Sequence, residues 1–311
     1  MFMSDLISIA LATYNGSKYI TEMLDSIAQQ THSHFMINIC DDGSVDNTIN
    51  TIKEHKLFDA GKIIIHDTDG GNGALKNFKR TINHCSNGYI ALCDQDDYWV
   101  PEKLEILLGK IKETELVNSG PVLVFSDLEI VDSNLNCQYS SFYSVSGKSS
   151  ECGDPKDFLI SNHIPGCAML FNNELKAMIE PIPDDVRMHD WWIAIIAACF
   201  GKIVFEPESL IKYRQHGGNT IGAADMIEQK TTLLQLIKNT RTIIRRSHTL
   251  QKHLLSTYIR LSKKENPTIH FSADFIRFIN RRMNILQKQK YLKDMHSGES
   301  EFLTHCAKWF I

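Results

Sequence analysis

Tyr89-Ile90-Ala91-Leu92-Cys93 runs directly into Asp94-Gln95-Asp96-Asp97. The first five residues read as a short strand, and the next four as an acidic cluster at its carboxyl end. The same arrangement stands twice upstream. Residues 6–11 form an apolar strand that ends on Thr13-Tyr14-Asn15-Gly16, and residues 35–40 form one that ends on Asp41-Asp42-Gly43-Ser44. Residues 62–66 read as a further strand, followed by the loop Gly70-Gly71-Asn72-Gly73. Helical signals separate these strands. Ile20, Met23, Leu24 and Ile27 share one helical face within residues 20–30, and further helices are expected over about 47–55 and 74–85. Pro101 fits the first position of another, covering residues 102–115.

Strands alternating with helices predict parallel pairing through right-handed crossovers. The expected fold is therefore a three-layer α/β domain, Rossmann-like, with a mostly parallel central sheet. Ligands of such sheets bind beyond the carboxyl ends of the strands. Those ends carry the clusters at Tyr14, Asp42 and Asp94, which predicts that the three converge on one crevice.

Beyond residue 122 the pattern is less regular. Residues 122–126, 168–171 and 203–205 read as strands, and residues 190–200 as a buried helix. After Gly222 the chain changes character. Apolar residues recur from Met226 to Leu261 as in an amphipathic helix or a broken pair, Asn266-Pro267 interrupts them, and another helix is expected over 273–293. The expected division is a catalytic domain at 1–222 and a basic helical region at 223–311.

With 43% hydrophobic and 23% charged residues, the 311-residue chain is of the core-forming kind. Charge is unevenly spread. Residues 230–311 hold 16 Lys and Arg against 5 Asp and Glu, and residues 1–229 hold 17 against 32. The start of the chain lacks the form of a secretory signal, and no apolar run reaches membrane-spanning length. The eight cysteines include no C-x-x-C pair, so buried free thiols in a reducing compartment are expected.

In an extended segment Asp94 and Asp96 point to one face. Carboxylates this close repel one another, and a divalent cation, Mg2+ or Mn2+, would relieve the repulsion. A solvated acidic turn ahead of a helix is the competing reading, because D-x-D is short and frequent. Asp42 is open to two readings as well: an ordinary cap and turn, or an acceptor for the imide N–H of uracil or thymine with the Tyr14 ring stacking on the base. The glycine loop is either a plain turn or a flexible loop closing on phosphate, with Lys76 as its cation. Asp190 opens an apolar helix as either a cap or a half-buried base with a raised pKa. Adjacent helical positions point about 100° apart, so of Trp191 and Trp192 one is expected in the core and one at a surface. His189 is expected to be structural.

The segments Ile7–Gly16, Cys40–Thr48, Cys93–Leu104, Pro165–Asn172, His189-Asp190-Trp191-Trp192 and Tyr213–Thr220 occur in an order and spacing that resemble the family 2 glycosyltransferases over residues 5–222. Asp-Gln-Asp-Asp with His-Asp-Trp-Trp and Tyr-Arg-Gln-His is most similar to bacterial rhamnosyltransferase-like members that build surface polysaccharides. The resemblance implies a nucleotide-sugar, GT-A-type domain and metal-assisted, inverting transfer from a dTDP- or UDP-sugar to a saccharide or lipid-linked saccharide. It implies that Ala12, Tyr14 and Asp42 line the nucleobase pocket, with Asn15, Lys76, Gln95 and Arg214 also at the nucleotide-sugar. It places Asp94 at the ribose or metal, Asp96 and His216 at the metal, and Asp190 as general base, and with it Trp191 and Trp192 are either core or an acceptor-sugar platform, one of each being expected. A metal-dependent nucleotidyltransferase or hydrolase, or a non-catalytic sugar- or membrane-binding scaffold, is the rival function.

The C-terminal section lies outside the resemblance. Its basic amphipathic helices suit an anionic membrane surface on the cytoplasmic side, or packing against the acidic body or a second subunit of a homo-oligomer. Nucleic acid is the poorer fit, since no recognised binding module accompanies the charge.

Overall fold

The computed structural model describes residues 5–86, 88–217, 233–262 and 287. In chain order the elements are β1 (Ile7–Thr13), α1 (Ile20–Ala28), β2 (Phe35–Asp41), α2 (Thr48–Lys53), α3 (Lys56–Asp59), β3 (Ile63–His66), α4 (Ala74–His84), β4 (Tyr89–Asp94) and β5 (Tyr98–Trp99). They continue with α5 (Lys103–Val117), β6 (Val122–Val131), β7 (Cys137–Tyr139), β8 (Met169–Asn172), α6 (Asn173–Ile179), α7 (His189–Phe200), β9 (Lys202–Arg214) and α8 (Leu233–Ser262).

One sheet carries the fold, in the order β3-β2-β1-β4-β8-β6-β9-β5, with β7 paired to β6. β3, β2, β1 and β4 are mutually parallel, as the alternation predicts. β8 then runs antiparallel to both β4 and β6, β9 is parallel to β6, and β5 is antiparallel to β9. The GT-A-like α/β architecture is thus present as a mixed, mostly parallel sheet. Ile7, Ile9 and Leu11 of β1 and Ile90, Ala91, Leu92 and Cys93 of β4 are fully buried. Each buried Ile or Leu contributes roughly 1.5–3 kcal/mol, so the centre of the sheet is rigid where its loops begin.

Two differences from the sequence reading bear on the site. The strand expected at residues 203–205 is 13 residues long. Glu206, Pro207 and Glu208 break its apolar pattern, and the pairing with β6 shifts register around Asp127 to accommodate them. The two-residue strand β5 was not legible at all, yet its pairing of Tyr98 with Lys212 and Trp99 with Ile211 brings the end of β9 beside the acidic cluster.

α8 is one continuous helix among the described residues, docked on the body. Leu250 and Leu254 are buried, His253 pairs with Asp185, and Arg260 donates to the carbonyls of Glu180 and Met178. The helix expected over 273–293 lies outside the described residues, apart from residue 287. No described helix is long and apolar enough to cross a membrane. The seven described cysteines are free, and all but Cys137 are buried.

Candidate active site

The carboxyl ends of β1, β2 and β4 stand level. Ala12 is opposite both Cys40 and Asp94, and Thr13 is opposite Asp41. Because the strands are parallel and in this register, the three polar loops leave the sheet on the same side. They are then tied together. Thr13 Oγ1 donates to Asp41 at 2.8 Å, Asn15 N–H donates to Ser44 Oγ at 2.8 Å, and Val45 N–H donates to the Asn15 side chain at 2.9 Å. Gln95 holds Tyr14 by both backbone groups, accepting from its N–H and donating to its carbonyl, each at 2.9 Å. A Cβ on Gly16 would lie 2.2 Å from Gln95 Oε1, so any side chain there would push Gln95 off the Tyr14 backbone. The Tyr14 ring is 55% exposed and projects from this braced loop.

Asp42 is buried, and its carboxylate accepts from Asn72 N–H at 3.1 Å, Gly73 N–H at 2.7 Å and Arg80 at 2.7 Å. Burial opposes its ionisation, but the two amides and the guanidinium outweigh it and hold the carboxyl below its ordinary value. The glycine loop therefore folds over Asp42, with Gly70 against Gly43 so closely that a Cβ would come within 3.1 Å of its backbone. Lys76 is exposed in the first turn of α4.

The acidic cluster divides into a buried and an open half. Asp97 is fully buried and accepts from Arg214 N–H at 3.1 Å. Burial and the carboxylates of Asp96 and Asp94 push its pKa well up. Lys103, also fully buried, lies over the Trp99 ring at 3.4 Å and donates to the Cys167 carbonyl at 2.8 Å. Burial lowers its ammonium to about 8, and the nearby thiols and carboxylates oppose that fall. It is the internal counter-charge of the cluster. Asp94 and Asp96 face the other way, onto a cavity of ≈ 280 Å³. Burial, Asp96 and Asp190 together raise Asp94 to about 7. Asp96 pairs with His216 Nε2 at 2.8 Å, and the His216 ring packs on Tyr19.

The opposite wall is the start of α7 with the turn at Pro165-Gly166-Cys167. Asp190 accepts from Trp191 N–H at 2.7 Å, and burial pushes it up to about 6 against the hydrogen bonds from Trp191 and Asn162 and the charge of Arg187. Asp94, Asp96 and Asp190 thus line one cavity together with Ala12, Gln95 and Arg187.

A divalent cation suits Asp94 and Asp96, which offer hard oxygen ligands on the open side, with the His216 imidazole beside them. A second grouping, Asp94 with Asp97 and Cys167, brings one ligand atom from each within 4.8 Å of the others. Burial pushes the Cys167 thiol well up, which keeps it protonated and makes it a poor partner for Mg2+ or Mn2+.

Two expected site residues stand away from the cavity lining. Arg214 is only 1% exposed, and its guanidinium donates to the Asp96 and Ser133 carbonyls and to Glu22, so it braces the cluster from behind. Trp192 is 1% exposed and donates to the Ile179 carbonyl, which places it in the core. Trp191 is nearly as buried and donates to the Phe158 carbonyl, though an edge of it lines the cavity. Phe78, Asn162, Arg187 and His189 line the cavity and were not singled out as site residues. They come from segments without a motif or, for His189, from a position that reads as structural.

The sequence model described as glycosyl transferase family 2 matches residues 8–176. The dTDP-rhamnosyl transferase RfbG of Shigella flexneri is 29% identical over 241 residues, spanning 74% of this chain and 79% of that protein. In structure, the chain is similar to S. aureus TarS residues 1–349 in complex with UDP-GlcNAc, with a TM-score of 0.54, 15% identity, and coverage of 97% of this chain and 89% of that one. It is also similar to the mannosyltransferase PcManGT of Pyrobaculum calidifontis in complex with GDP-Man and Mn2+, with a TM-score of 0.50, 14% identity, and coverage of 94% and 86%. These structural likenesses show the fold. The family model spans more than half of the sequence, and on that ground the chain belongs to glycosyl transferase family 2.

Proposed function

We propose that the chain transfers rhamnose or a hexose from a dTDP- or UDP-sugar to a hydroxyl of a saccharide or lipid-linked saccharide, with inversion, in bacterial surface polysaccharide assembly. The observation that carries this reading is Asp190 facing Asp94 and Asp96 across one cavity, with its pKa near 6. A carboxylate that binds its proton this firmly, yet is ionised at neutral pH, suits removal of a proton from an attacking hydroxyl. One base acting opposite the leaving diphosphate inverts the sugar carbon. The similarity to a dTDP-rhamnosyl transferase supports dTDP-rhamnose as first donor, with UDP-hexoses next.

Asp94 and Asp96, with His216, would hold Mg2+ or Mn2+, which supplies charge neutralisation for the departing diphosphate when bound. Gln95 orients the Tyr14 loop, Lys103 offsets the buried carboxylates, and the burial of Asp190 keeps water from levelling its basicity. Ala12, Tyr14, Asn15 and Asp42 are proposed at the nucleobase and Lys76 at phosphate. Asp42 would exchange its Asn72 and Gly73 amides for the base imide. Exposed Arg245 and Lys252 on α8 suit contact with an anionic membrane face, and a cytoplasmic location at that face completes the proposal.

The test is nucleoside diphosphate release from dTDP-rhamnose and UDP-hexoses with and without a saccharide acceptor. Release that requires acceptor, and is lost in Asp190→Asn, is the expected result. Release as nucleoside monophosphate, or release indifferent to acceptor, would overturn the reading.

A further inference from the structure

His189, the first residue of α7, is 3% exposed, and neither of its ring nitrogens has a hydrogen-bond partner among the described residues. Buried polar groups are nearly always paired, so two orphan nitrogens on one ring call for an explanation. The ring is not loose. It stacks on Phe78 with centroids 3.9 Å apart and planes 18° from parallel. Phe78, Gly166, His189 and Asp190 all line the same cavity.

Gly166 decides what the imidazole can reach. A Cβ at that position would stand 3.3 Å from His189 Nε2 and 3.3 Å from Asp190 Cβ. Its backbone does not adopt the left-handed conformation that favours glycine. The missing side chain therefore serves space and not strain: it keeps one gap open over both residues. Burial holds the imidazole near 3, so it is neutral across the working range, with one nitrogen donating and the other accepting. A neutral ring of this kind matches a hydroxyl, which both donates and accepts, better than a phosphate, which only accepts.

We propose that His189 is a sugar-binding residue, whose Nε2 hydrogen-bonds a hydroxyl of one of the two saccharides that meet at Asp190. This rests on the transferase reading above. In the free chain both nitrogens are closed off from solvent, and the bond forms as an entering hydroxyl takes the room that Gly166 leaves beside Nε2. The stack on Phe78 holds the ring ready, so the imidazole need not reorient when sugar arrives.

The experiment compares wild type, His189→Phe and Gly166→Ala. Phenylalanine keeps the stack and removes both orphan nitrogens, so its melting temperature is expected to be equal or higher. The added methyl at residue 166 fills the same gap, 3.3 Å from Nε2, while leaving both ring nitrogens in place. Binding of dTDP and of dTDP-rhamnose is measured without acceptor, and KM is measured for a panel of methyl glycosides as acceptors. Loss of one neutral hydrogen bond weakens binding about three- to tenfold. If the hydroxyl is the donor's, both variants weaken dTDP-rhamnose by that factor and leave dTDP unchanged. If it is the acceptor's, donor binding holds and acceptor KM rises by that factor. Unchanged values in both arms, or equal loss for dTDP and dTDP-rhamnose, overturn the inference. Wild type that binds neither these two nor UDP and UDP-hexoses refutes the transferase reading itself, and this inference with it.

Discussion

Asp190→Asn separates a catalytic carboxylate from a helix cap, because the two roles give opposite signs of stability. The carboxyl is raised from 3.8 to about 6 by burial. Between those values the folded chain binds the proton more tightly than the unfolded chain. The group's contribution is fully present below 3.8, falls as pH rises through about 6, and above that is a standing penalty on the ionised form. At 1.36 kcal/mol per unit the upper bound is about 3 kcal/mol. Asp190 keeps some contact with solvent, so about 1–2 kcal/mol is the working figure. Asparagine resembles the neutral acid and still accepts from Trp191 N–H. At pH 8 the variant should therefore be more stable than wild type by that amount, or about 2–8 °C in Tm at roughly 2–4 °C per kcal/mol. At pH 4 the difference should shrink toward zero. Turnover should fall by about 10²- to 10⁴-fold, while donor binding is largely kept. Thermal denaturation at the two pH values, with turnover measured on the same samples, reads all of this. A variant less stable at pH 8, or one that turns over like wild type, would overturn the base assignment and make Asp190 a structural cap.

Three further outcomes follow from the same geometry. The kcat/KM of wild type should rise with pH and level off above about 6, as Asp190 loses its proton, and a profile flat from pH 5 to 8 would contradict the base assignment. Asp96→Ala removes an open-side carboxylate and leaves His216 without that partner, so manganese should no longer enhance donor binding in a thermal-shift titration, whereas metal-free binding changes little. Gly16→Ala places a methyl on Gln95 Oε1 and should cost about 1–3 kcal/mol by overpacking, with most of it restored in the double variant Gly16→Ala/Gln95→Ala. Equal destabilisation of the single and double variants in urea melts would show that the Gly16–Gln95 contact is not what the glycine protects.

Much of this site was legible because it is local. β1, β2 and β4 are apolar runs that end on polar turns, and parallel pairing in register brings Ala12, Cys40 and Asp94 level, with Thr13 and Asp41 one residue on. Where the chain is irregular, local pattern carried less. β9 continues past a proline and two glutamates because β6 shifts its register to meet it, and nothing within residues 206–208 announces that. The two tryptophans illustrate a second limit. The reading that adjacent helical residues face apart holds for a helix with a solvent side, but α7 is buried nearly all round, so both indoles are core.

Sequence alone determined the α/β alternation, the loops that bear the chemistry and the identity of the acidic cluster, since each depends on residues within a few positions of one another. Tertiary structure alone decided how the four residues Asp94–Gln95–Asp96–Asp97 divide their work. Gln95 turns to the Tyr14 backbone and Asp97 inward to the Arg214 amide, while Asp94 and Asp96 open onto the cavity that Asp190 faces from a helix almost a hundred residues later. The carboxylates repel one another and Lys103 within the same segment offsets them, but their burial and their remaining partners, Asp190, Arg214 and His216, come from chain that is remote in sequence, and no spacing within the motif encodes those.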